Sequence, residues 1–559
     1  MIILAKNKGQ TFVFGAIILM ISNIAVKLIG ALLRIPLTNI IGTEGMAYYN
    51  AAYSIYVSFY MISTAGIPIA VSRMIATANS KNLHTEIKKI FNIAFTLFFI
   101  IGALGTGAMM IFADKFAQSA NMPGANLAML AIAPTIFFIC IASAYRGYFQ
   151  GLQDMMPTAV SQVIEAVAKM GIGIFCAFYF KSKGYGVNVV AAYVILGVTI
   201  GVFLGMIYTA VTKALFNSSR EYKNNLQNAI KNNRQCRKGK AILKELVAIA
   251  IPITLASSIM GLTNTVDAMV MPGALMNSGI SHDASIAFYG TYSAMVIPLL
   301  NLAPPFIYPF AISAIPAIST ALAQNNTKLF NKQIESAFRN CAIIAIPCSI
   351  GMGTLSYRVV TFLFKEEIIQ SGNISYYARI LAGSALRLVA VAIFFLAVIS
   401  ITNSVLQACH KEKYTIISTM SGILVKIIAT KYLSMIPNIG LQGSAMGTVL
   451  CYFTIMILNL VFMAKTVGVF PNVKRVFLKP LIAGIFCGVS AFVTSFVLNT
   501  TAINEKIVTL FAIAVAVLVY VVILLALKGI NRYDVLMMPK GDSLCKMMDR
   551  FNLLEKGEE

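Results

Sequence analysis

The chain has 559 residues, of which 58% are apolar and only 11% are charged. Soluble domains average about 45–50% apolar and about 25% charged residues, so this composition excludes a soluble enzyme, a disordered protein and a secreted disulfide scaffold. Lys and Arg (44) outnumber Asp and Glu (20), and the meaning of the resulting net charge of +24 depends on which loops carry it.

The apolar runs are unbroken and about twenty residues long, which is the length that a helix needs to cross a bilayer. Strands of a membrane β-barrel would alternate apolar and polar residues instead. We therefore predict an all-α polytopic membrane protein with about fourteen transmembrane helices. The predicted spans are 12–33, 48–71, 90–112, 127–149, 158–180, 188–212, 245–270, 285–322, 340–363, 379–407, 414–434, 441–464, 478–498 and 507–527.

The basic residues are distributed unevenly between the loops. The even-numbered loops and both ends hold most of them, and the segment from Lys213 to Lys244 alone holds nine. The odd-numbered loops and the adjoining span ends hold Lys115, Lys181, Lys183, Lys365, Lys431 and Lys506. Because cytoplasmic loops are enriched in Lys and Arg, both termini are expected in the cytoplasm. Most of the net charge thus sets topology and does not indicate a nucleic-acid partner.

Two segment pairs indicate an internal repeat. Residues 149–170 align with 406–427, which matches Ser161 with Ser418 and Lys169 with Lys426, and residues 66–80 align with 314–326. Both matches keep the same order and nearly the same offset, as parallel repeats in transporters do. The predicted organisation is an N-terminal lobe (1–212, spans 1–6), a basic cytoplasmic loop (213–244), a C-terminal lobe (245–466, spans 7–12), spans 13–14 (467–528) and a cytoplasmic amphipathic tail (529–559).

Several predicted spans carry ionisable residues on one helical face. An ionisable side chain at mid-bilayer costs about 2.5–3.5 kcal/mol on insertion scales and normally marks a pairing partner or a water-filled path. Such stripes predict a central, net basic cavity, and Glu165 and Lys169 also have the spacing of a helical ion pair. Because Lys and Arg bind phosphate well, we predict an anionic cargo. The candidate substrate-binding residues are Lys27, Arg34, Glu165, Lys169, Asp267, Arg387 and Lys426.

Span 8 is rich in proline, which removes a backbone hydrogen bond and kinks a helix. A helix broken in this way must face protein or a cavity, so span 8 is a candidate gate. The candidate gating residues are Pro298, Pro304, Pro305 and Pro309.

Resident metal and nucleotide chemistry are not expected. The sequence has nine cysteines but no CxxC motif, and it has three histidines and no GxxxxGK[ST] loop. No cysteine falls in a predicted external loop, so no disulfide is expected. We predict no cofactor, apart from a coupling ion or the membrane potential as an energy source.

The segments ALLRIPLTNIIGTEGMAYYNAAYSIY (31–56), TAGIPIAVSRMIA (64–76) and AYRGYFQGLQDMMPTAVSQVIEAVAKM (144–170) resemble the stage V sporulation protein B family. DAMVMPG (267–273) and YPFAISAIPAIS (308–319) are similar to that family as well. The family belongs to the multidrug/oligosaccharidyl-lipid/polysaccharide exporter superfamily, close to MurJ-type lipid II flippases. The resemblance implies fourteen helices, two six-helix lobes around a cavity, alternating access and a non-enzymatic role in the bacterial cytoplasmic membrane.

The resemblance further implies a cargo and its partners. The cargo would be an undecaprenyl-pyrophosphate-linked cell-wall precursor such as lipid II, carried for peptidoglycan synthesis in growth or sporulation, with the lipid tail in a groove formed by spans 13–14. Membrane lipids, and cell-wall synthesis proteins docked on the basic loop, are further candidate partners. MurJ-type flippases place cavity arginines in their second and eighth helices, whereas here span 2 has no charge before Arg73 and none occurs between Asp283 and Lys328.

Four alternatives remain open at the level of the sequence. One is a structural scaffold for the cell-wall synthesis machinery, which would dock on the basic loop 213–244. An exporter of another lipid-linked polysaccharide unit would use the same headgroup chemistry. A cation-coupled multidrug exporter would need an acidic cavity, for which Glu165 and Asp267 are the candidates. A membrane-embedded transferase would need a catalytic histidine or carboxylate pair.

Overall fold

The computed structural model describes residues 8–64, 66–81, 83–218, 237–499 and 504–529. The centre of the basic loop and the predicted amphipathic tail helix (Leu544, Met547, Phe551, Leu554) lie outside the described residues. The chain forms two compact units, residues 1–273 and 274–559.

The first unit is helical throughout its described length, apart from short connections. Its helices are α1 Lys8–Thr64, α2 Gly66–Ser80, α3 His84–Ile111, α4 Ala113–Ser119, α5 Asn126–Gly151, α6 Met156–Ser182, α7 Val187–Ser218 and α8 Gly239–Asn277, the last of which contains the boundary between the units.

The second unit adds eleven described helices and one β-hairpin. Its elements are α9 His282–Thr291, α10 Ile297–Leu300, α11 Pro304–Ala323, α12 Thr327–Thr354, α13 Ser356–Leu363, β1 Ile368–Ser371, β2 Ile374–Tyr377, α14 Ala378–Val389, α15 Val391–Ala408, α16 Glu412–Ser434, α17 Leu441–Val467, α18 Val473–Asn499 and α19 Glu505–Ala526.

The prediction of an all-α polytopic membrane protein is confirmed in class. Among the described residues, eleven helices are long and apolar enough to cross a membrane, or twelve if one bent pair counts as a span. The number fourteen stays a prediction. Predicted spans 1 and 2 lie on two helices that meet at a kink at Gly42 within α1.

Three details differ from the predicted spans. The predicted connection between spans 1 and 2 (34–47) is helical except at Gly42, where the two helices meet with φ 77° and ψ 178°, a conformation that side chains rarely adopt. Span 2 was expected to run unbroken over 48–71, but α1 ends at Thr64 and α2 begins at Gly66. The expected continuous span 340–363 bends by 77° between α12 and α13.

The β-hairpin is the only non-helical regular structure among the described residues. The sequence did not predict it. β1 and β2 pair antiparallel with Ser371 opposite Ile374 and Ile368 opposite Tyr377. The two-residue loop between them begins with Gly372 at φ +58°, as primed hairpin turns require.

Predicted spans 13 and 14 correspond to α18 and α19, which pack against α12. The core between them is built mainly from small residues, which allow membrane helices to approach closely; it contains Ala483, Cys487, Ala491, Ala512 and Ala516 beside Tyr520. The Tyr520 hydroxyl donates a hydrogen bond of 2.6 Å to the carbonyl of Ile343 in α12. These contacts fix α18 and α19 within the second unit.

Candidate substrate-binding site

The candidate site in the first unit is built on one face of α6. Ser161, Glu165 and Lys169 are four residues apart, so their side chains leave the helix on the same side. Glycines at the same spacing on α7 pack against the α6 backbone: a Cβ placed on Gly201 would lie 2.8 Å from the Glu165 carbonyl, and one on Gly205 would lie 3.0 Å from the Ser161 carbonyl. This glycine contact fixes the position from which the α6 side chains project.

Arg146 of α5 binds this face. Its Nη2 lies 3.0 Å from Glu165 Oε2, and its Nε donates to Ser161 Oγ at 3.0 Å. The Arg146 side chain is 9% exposed and that of Glu165 is 26% exposed. A helical i,i+4 ion pair contributes about 0.2–0.5 kcal/mol, whereas breaking a buried, hydrogen-bonded pair costs about 3–5 kcal/mol. Glu165 therefore pairs with Arg146 and not, as its spacing suggested, with Lys169.

Lys169 instead lies against a tyrosine. Its Nζ is 4.5 Å from the centroid of the Tyr53 ring, and the guanidinium carbon of Arg34 is 6.0 Å from the same centroid. Such cation–π contacts contribute about 0.5–2 kcal/mol. Two residues predicted from different spans, Arg34 of α1 and Lys169 of α6, thus meet on one aromatic ring. We call Arg34, Lys169 and Tyr53 the cation cluster.

Tyr53 belongs to a ladder of tyrosines along the part of α1 that follows Gly42. The ring centroids of successive tyrosines are 6.0 Å (Tyr49–Tyr53), 5.7 Å (Tyr53–Tyr56) and 5.9 Å (Tyr56–Tyr60) apart. Their spacing of four, three and four residues is helical, and this spacing could have identified the face from the sequence. Neither the ladder nor the burial of Arg146 was predicted.

The other predicted residues of the first unit have different surroundings. Lys27 is exposed, two turns before Arg34 on a face of α1 where a Cβ on Gly30 would meet nothing within 4 Å. Asp267 of α8 is buried, with 3% of its surface exposed. α8 contacts α1 nearby, where Thr265 Oγ1 donates to the Ser54 carbonyl at 3.0 Å.

Two predicted residues lie in the second unit and outside the cation cluster. Arg387 is exposed near the end of α14. Lys426 is only 1% exposed. It lies between Gly422 and Thr430 on the face of α16 that packs against α17, since Cβ atoms on Gly422 and on Gly447 of α17 would meet Ile455 and Thr430 respectively.

The segments aligned as repeats share a local hydrogen bond. Ser161 Oγ donates to the Thr158 carbonyl at 2.8 Å, and Ser418 Oγ donates to the Thr415 carbonyl at 3.0 Å. Their other partners differ: Ser161 accepts from Arg146, whereas Ser418 contacts Asn459, whose amide donates to Asn403 at 2.7 Å. A neutral amide network thus occurs in the second unit where the first has an ion pair.

The proline-rich region is broken as predicted for span 8. α9 ends at Thr291, a π-helical turn follows over Tyr292–Val296, and α10 ends at Leu300 before α11 begins. Pro298 lies in the first turn of α10, Pro304 and Pro305 begin α11, and Pro309 lies inside α11. The break is confirmed, and its role in gating stays a prediction.

An ion-pair cluster fixes the end of the basic loop. Arg237 Nε lies 2.6 Å from Oε1 of Glu86, a residue that is 4% exposed, and Arg237 also pairs with Glu245 of α8. Burial lowers the pKa of the Arg237 guanidinium, but the hydrogen bonds and charges of the two carboxylates outweigh this effect, so the pKa is raised above its ordinary value. This cluster joins α3 to the start of α8.

Metal-ligand clusters are absent from the part of the chain that the structure describes, where no three His, Cys, Asp or Glu side chains gather. The seven cysteines in that part form no disulfide with one another.

Known proteins resemble this chain over most of its length. Residues 12–322, more than half of the chain, match the polysaccharide biosynthesis protein family. The chain belongs to that family. It is 26% identical to stage V sporulation protein B of Bacillus subtilis over 535 residues (95% of this chain and 98% of the relative). It is 24% identical to the lipid II flippase MurJ of B. subtilis over 504 residues (87% and 88%).

Solved structures show the same fold. The inward closed conformation of lipid II flippase MurJ superposes with a TM-score of 0.63 at 17% identity, covering 91% of this chain and 98% of that one. An inward-facing MATE multidrug resistance transporter of the MOP superfamily superposes with a TM-score of 0.60 at 14% identity (85% and 96%). This member of the polysaccharide biosynthesis family is therefore a multi-pass membrane protein with the fold of transporters.

Proposed function

We propose that the protein is a flippase that moves an undecaprenyl-pyrophosphate-linked cell-wall precursor, lipid II, across the bacterial cytoplasmic membrane by alternating access. The observation that carries the proposal is the cation cluster: Arg34 and Lys169 meet at Tyr53, and the nearby carboxylate of Glu165 is bound to Arg146. The site therefore presents positive charge. Phosphate oxygens are the ligands that guanidinium and ammonium groups bind through charge-assisted hydrogen bonds.

The relatives support the same class of cargo. Lipid II flippase MurJ of B. subtilis carries a lipid-linked precursor by name, and the likeness to it and to stage V sporulation protein B extends over most of each chain. The same ion pair argues against a cationic drug as cargo, because Glu165 is neutralised by Arg146.

In this proposal Arg34 and Lys169 bind the pyrophosphate, and Lys27 extends the basic face along α1. Asp267, Arg387 and Lys426 keep their predicted roles along the transport path, and the broken segment with Pro298, Pro304, Pro305 and Pro309 gates it. The lobes at 1–212 and 245–466, the tail groove at 467–528, the cytoplasmic termini and docked cell-wall synthesis proteins belong to the same proposal.

The test is a flipping assay with purified protein in liposomes, using defined lipid-linked donors with and without an imposed membrane potential. We expect lipid II to be translocated, and Arg34→Ala and Lys169→Ala to slow translocation about tenfold or more, because each removes a charge-assisted hydrogen bond of about 1.5–3 kcal/mol. Lys183→Ala is the matched control, since Lys183 is an exposed lysine directly after α6.

Each outcome of this assay has a clear meaning. Normal rates for both cluster variants would refute the site. Translocation of a different lipid-linked saccharide but not lipid II would refute the choice of cargo. Efflux of a cationic dye without donor translocation would refute the flippase.

A further inference from the structure

Arg146 is a buried cation of the first unit, although it lies three residues before the end of the predicted span 127–149, where a basic residue usually sets topology. The structure instead buries it to 8% exposure and places two of its nitrogens 3.0 Å from acceptors on the neighbouring helix. Topology charges face water at the membrane surface, so this burial needs another explanation.

The hydrogen bonds of Arg146 to Ser161 and to Glu165 determine where the Glu165 carboxylate lies. Arg146 Nε is held by Ser161 Oγ, and Ser161 in turn donates to the Thr158 carbonyl at 2.8 Å. This chain of hydrogen bonds orients the guanidinium so that Nη2 reaches Glu165 Oε2. Ser161 and Glu165 lie one helical turn apart, so one planar guanidinium can bind both.

Helix α6 cannot rotate about its axis to change this arrangement, because the glycines of α7 pack closely against it. A Cβ on Gly201 would lie 2.8 Å from the Glu165 carbonyl and 3.2 Å from the Lys169 nitrogen, and one on Gly205 would lie 3.7 Å from Arg146 Nη2. With α6 fixed in this way, the Glu165 carboxylate can reach Lys169 only by leaving Arg146. The spacing of Glu165 and Lys169 would favour their pairing if Arg146 were absent.

We propose that Arg146 is a positioning residue that holds Glu165 away from Lys169 and so keeps the positive charge of Lys169 available, beside Arg34, to an anionic pyrophosphate headgroup. This inference rests on the proposed function. Without Arg146, the Glu165 carboxylate swings to Lys169 and neutralises it, so the cation cluster loses the charge of Lys169.

The inference is tested by binding of undecaprenyl pyrophosphate to the full-length protein in lipid nanodiscs. We expect Arg146→Gln to weaken binding about tenfold or more, the effect of losing one charge-assisted hydrogen bond. The double variant Arg146→Gln/Glu165→Gln is expected to bind like the wild type, since no carboxylate is left to neutralise Lys169. A residue with a merely structural role would not be rescued by removing its partner.

A second measurement uses Lys169. Lys169→Ala is expected to weaken binding in the wild type but to add no further loss to Arg146→Gln, where Lys169 is already neutralised. Arg146→Lys keeps a cation beside Glu165 but cannot bind Ser161 and Glu165 together as the planar guanidinium does. It is therefore expected to bind more tightly than Arg146→Gln and to keep most of the wild-type affinity, which covers the case in which Arg146→Gln fails to fold.

Three results would overturn the inference: a folded double variant as weak as Arg146→Gln, additive losses for Arg146→Gln and Lys169→Ala, or a folded Arg146→Lys variant that binds as weakly as Arg146→Gln. If the wild-type protein binds no undecaprenyl pyrophosphate, the proposed function fails and the inference fails with it. Binding by the wild type without rescue refutes the inference alone.

Discussion

The close contact between α6 and α7 can be tested with two substitutions that should change the stability of the protein in opposite directions. Gly201→Ala, at the contact, should lower it, and Gly171→Ala, outside the contact, should raise it. Gly201 is buried against the α6 backbone, where an added Cβ would lie 2.8 Å from the Glu165 carbonyl and 3.2 Å from the Lys169 nitrogen. Favourable separations between non-bonded carbon atoms are about 3.5–4.0 Å, so the helices must separate. Gly171 of α6 is the matched control, because its Cβ would meet nothing within 4 Å.

The magnitude follows from two opposing effects. Overpacking a close contact costs about 1–3 kcal/mol, and replacing glycine by alanine inside a helix gains about 1 kcal/mol. Gly171→Ala should therefore stabilise the protein slightly, and Gly201→Ala should destabilise it by up to about 2 kcal/mol. The difference between the variants removes the helix-propensity effect and measures the close contact.

The assay is the folded fraction of each purified variant after heating in detergent, with binding of undecaprenyl pyrophosphate measured on the same samples. Gly201→Ala should melt below the wild type and bind more weakly, since the contact positions Glu165 and Lys169. Equal melting midpoints for Gly201→Ala and Gly171→Ala would refute the reasoning that this contact fixes α6.

Two further substitutions test the fold. Gly42→Ala places a side chain at φ 77° and ψ 178°, which should cost about 1–3 kcal/mol of stability. Gly30→Ala is the control and should not destabilise the protein, because its Cβ would enter open space. Equal melting midpoints for the two variants would contradict the bend at Gly42. Tyr520→Phe removes the 2.6 Å hydrogen bond to the Ile343 carbonyl and should lower the free energy of unfolding by about 1–3 kcal/mol, the cost of an unsatisfied buried acceptor. The exposed Tyr179 supplies the control Tyr179→Phe, and no difference between the two tyrosine variants would show that this bond does not stabilise the packing of α19 on α12.

Much of the fold could be predicted because the signal for a membrane helix lies in consecutive residues, as an apolar run long enough to cross the bilayer. The polar stripe of Ser161, Glu165 and Lys169 was predicted on the same ground, since residues four apart share a helix face. The break around Pro298 and Pro304 followed from the chemistry of proline.

The parts that could not be predicted depend on partners distant in sequence. Spacing along α6 suggested Lys169 as the partner of Glu165, whereas the partner in the structure is Arg146, on another helix. Lys426 matches Lys169 in the aligned segments but is buried against α17, because packing rather than residue type decides exposure. The hairpin did have a local signal, the Gly372–Asn373 loop between strand-like residues.

The most direct test of the central claim is a comparison of two lipids that differ in headgroup alone. Equilibrium binding of undecaprenyl pyrophosphate and of the uncharged polyprenol should be measured with the wild-type protein, Lys169→Ala and Lys183→Ala. The cation cluster predicts that the pyrophosphate lipid binds saturably and that the polyprenol does not displace it. Lys169→Ala should weaken this binding about tenfold or more, and Lys183→Ala should leave it unchanged. Equal binding of both lipids, or an unaffected Lys169→Ala variant, would contradict recognition of the headgroup by this cluster.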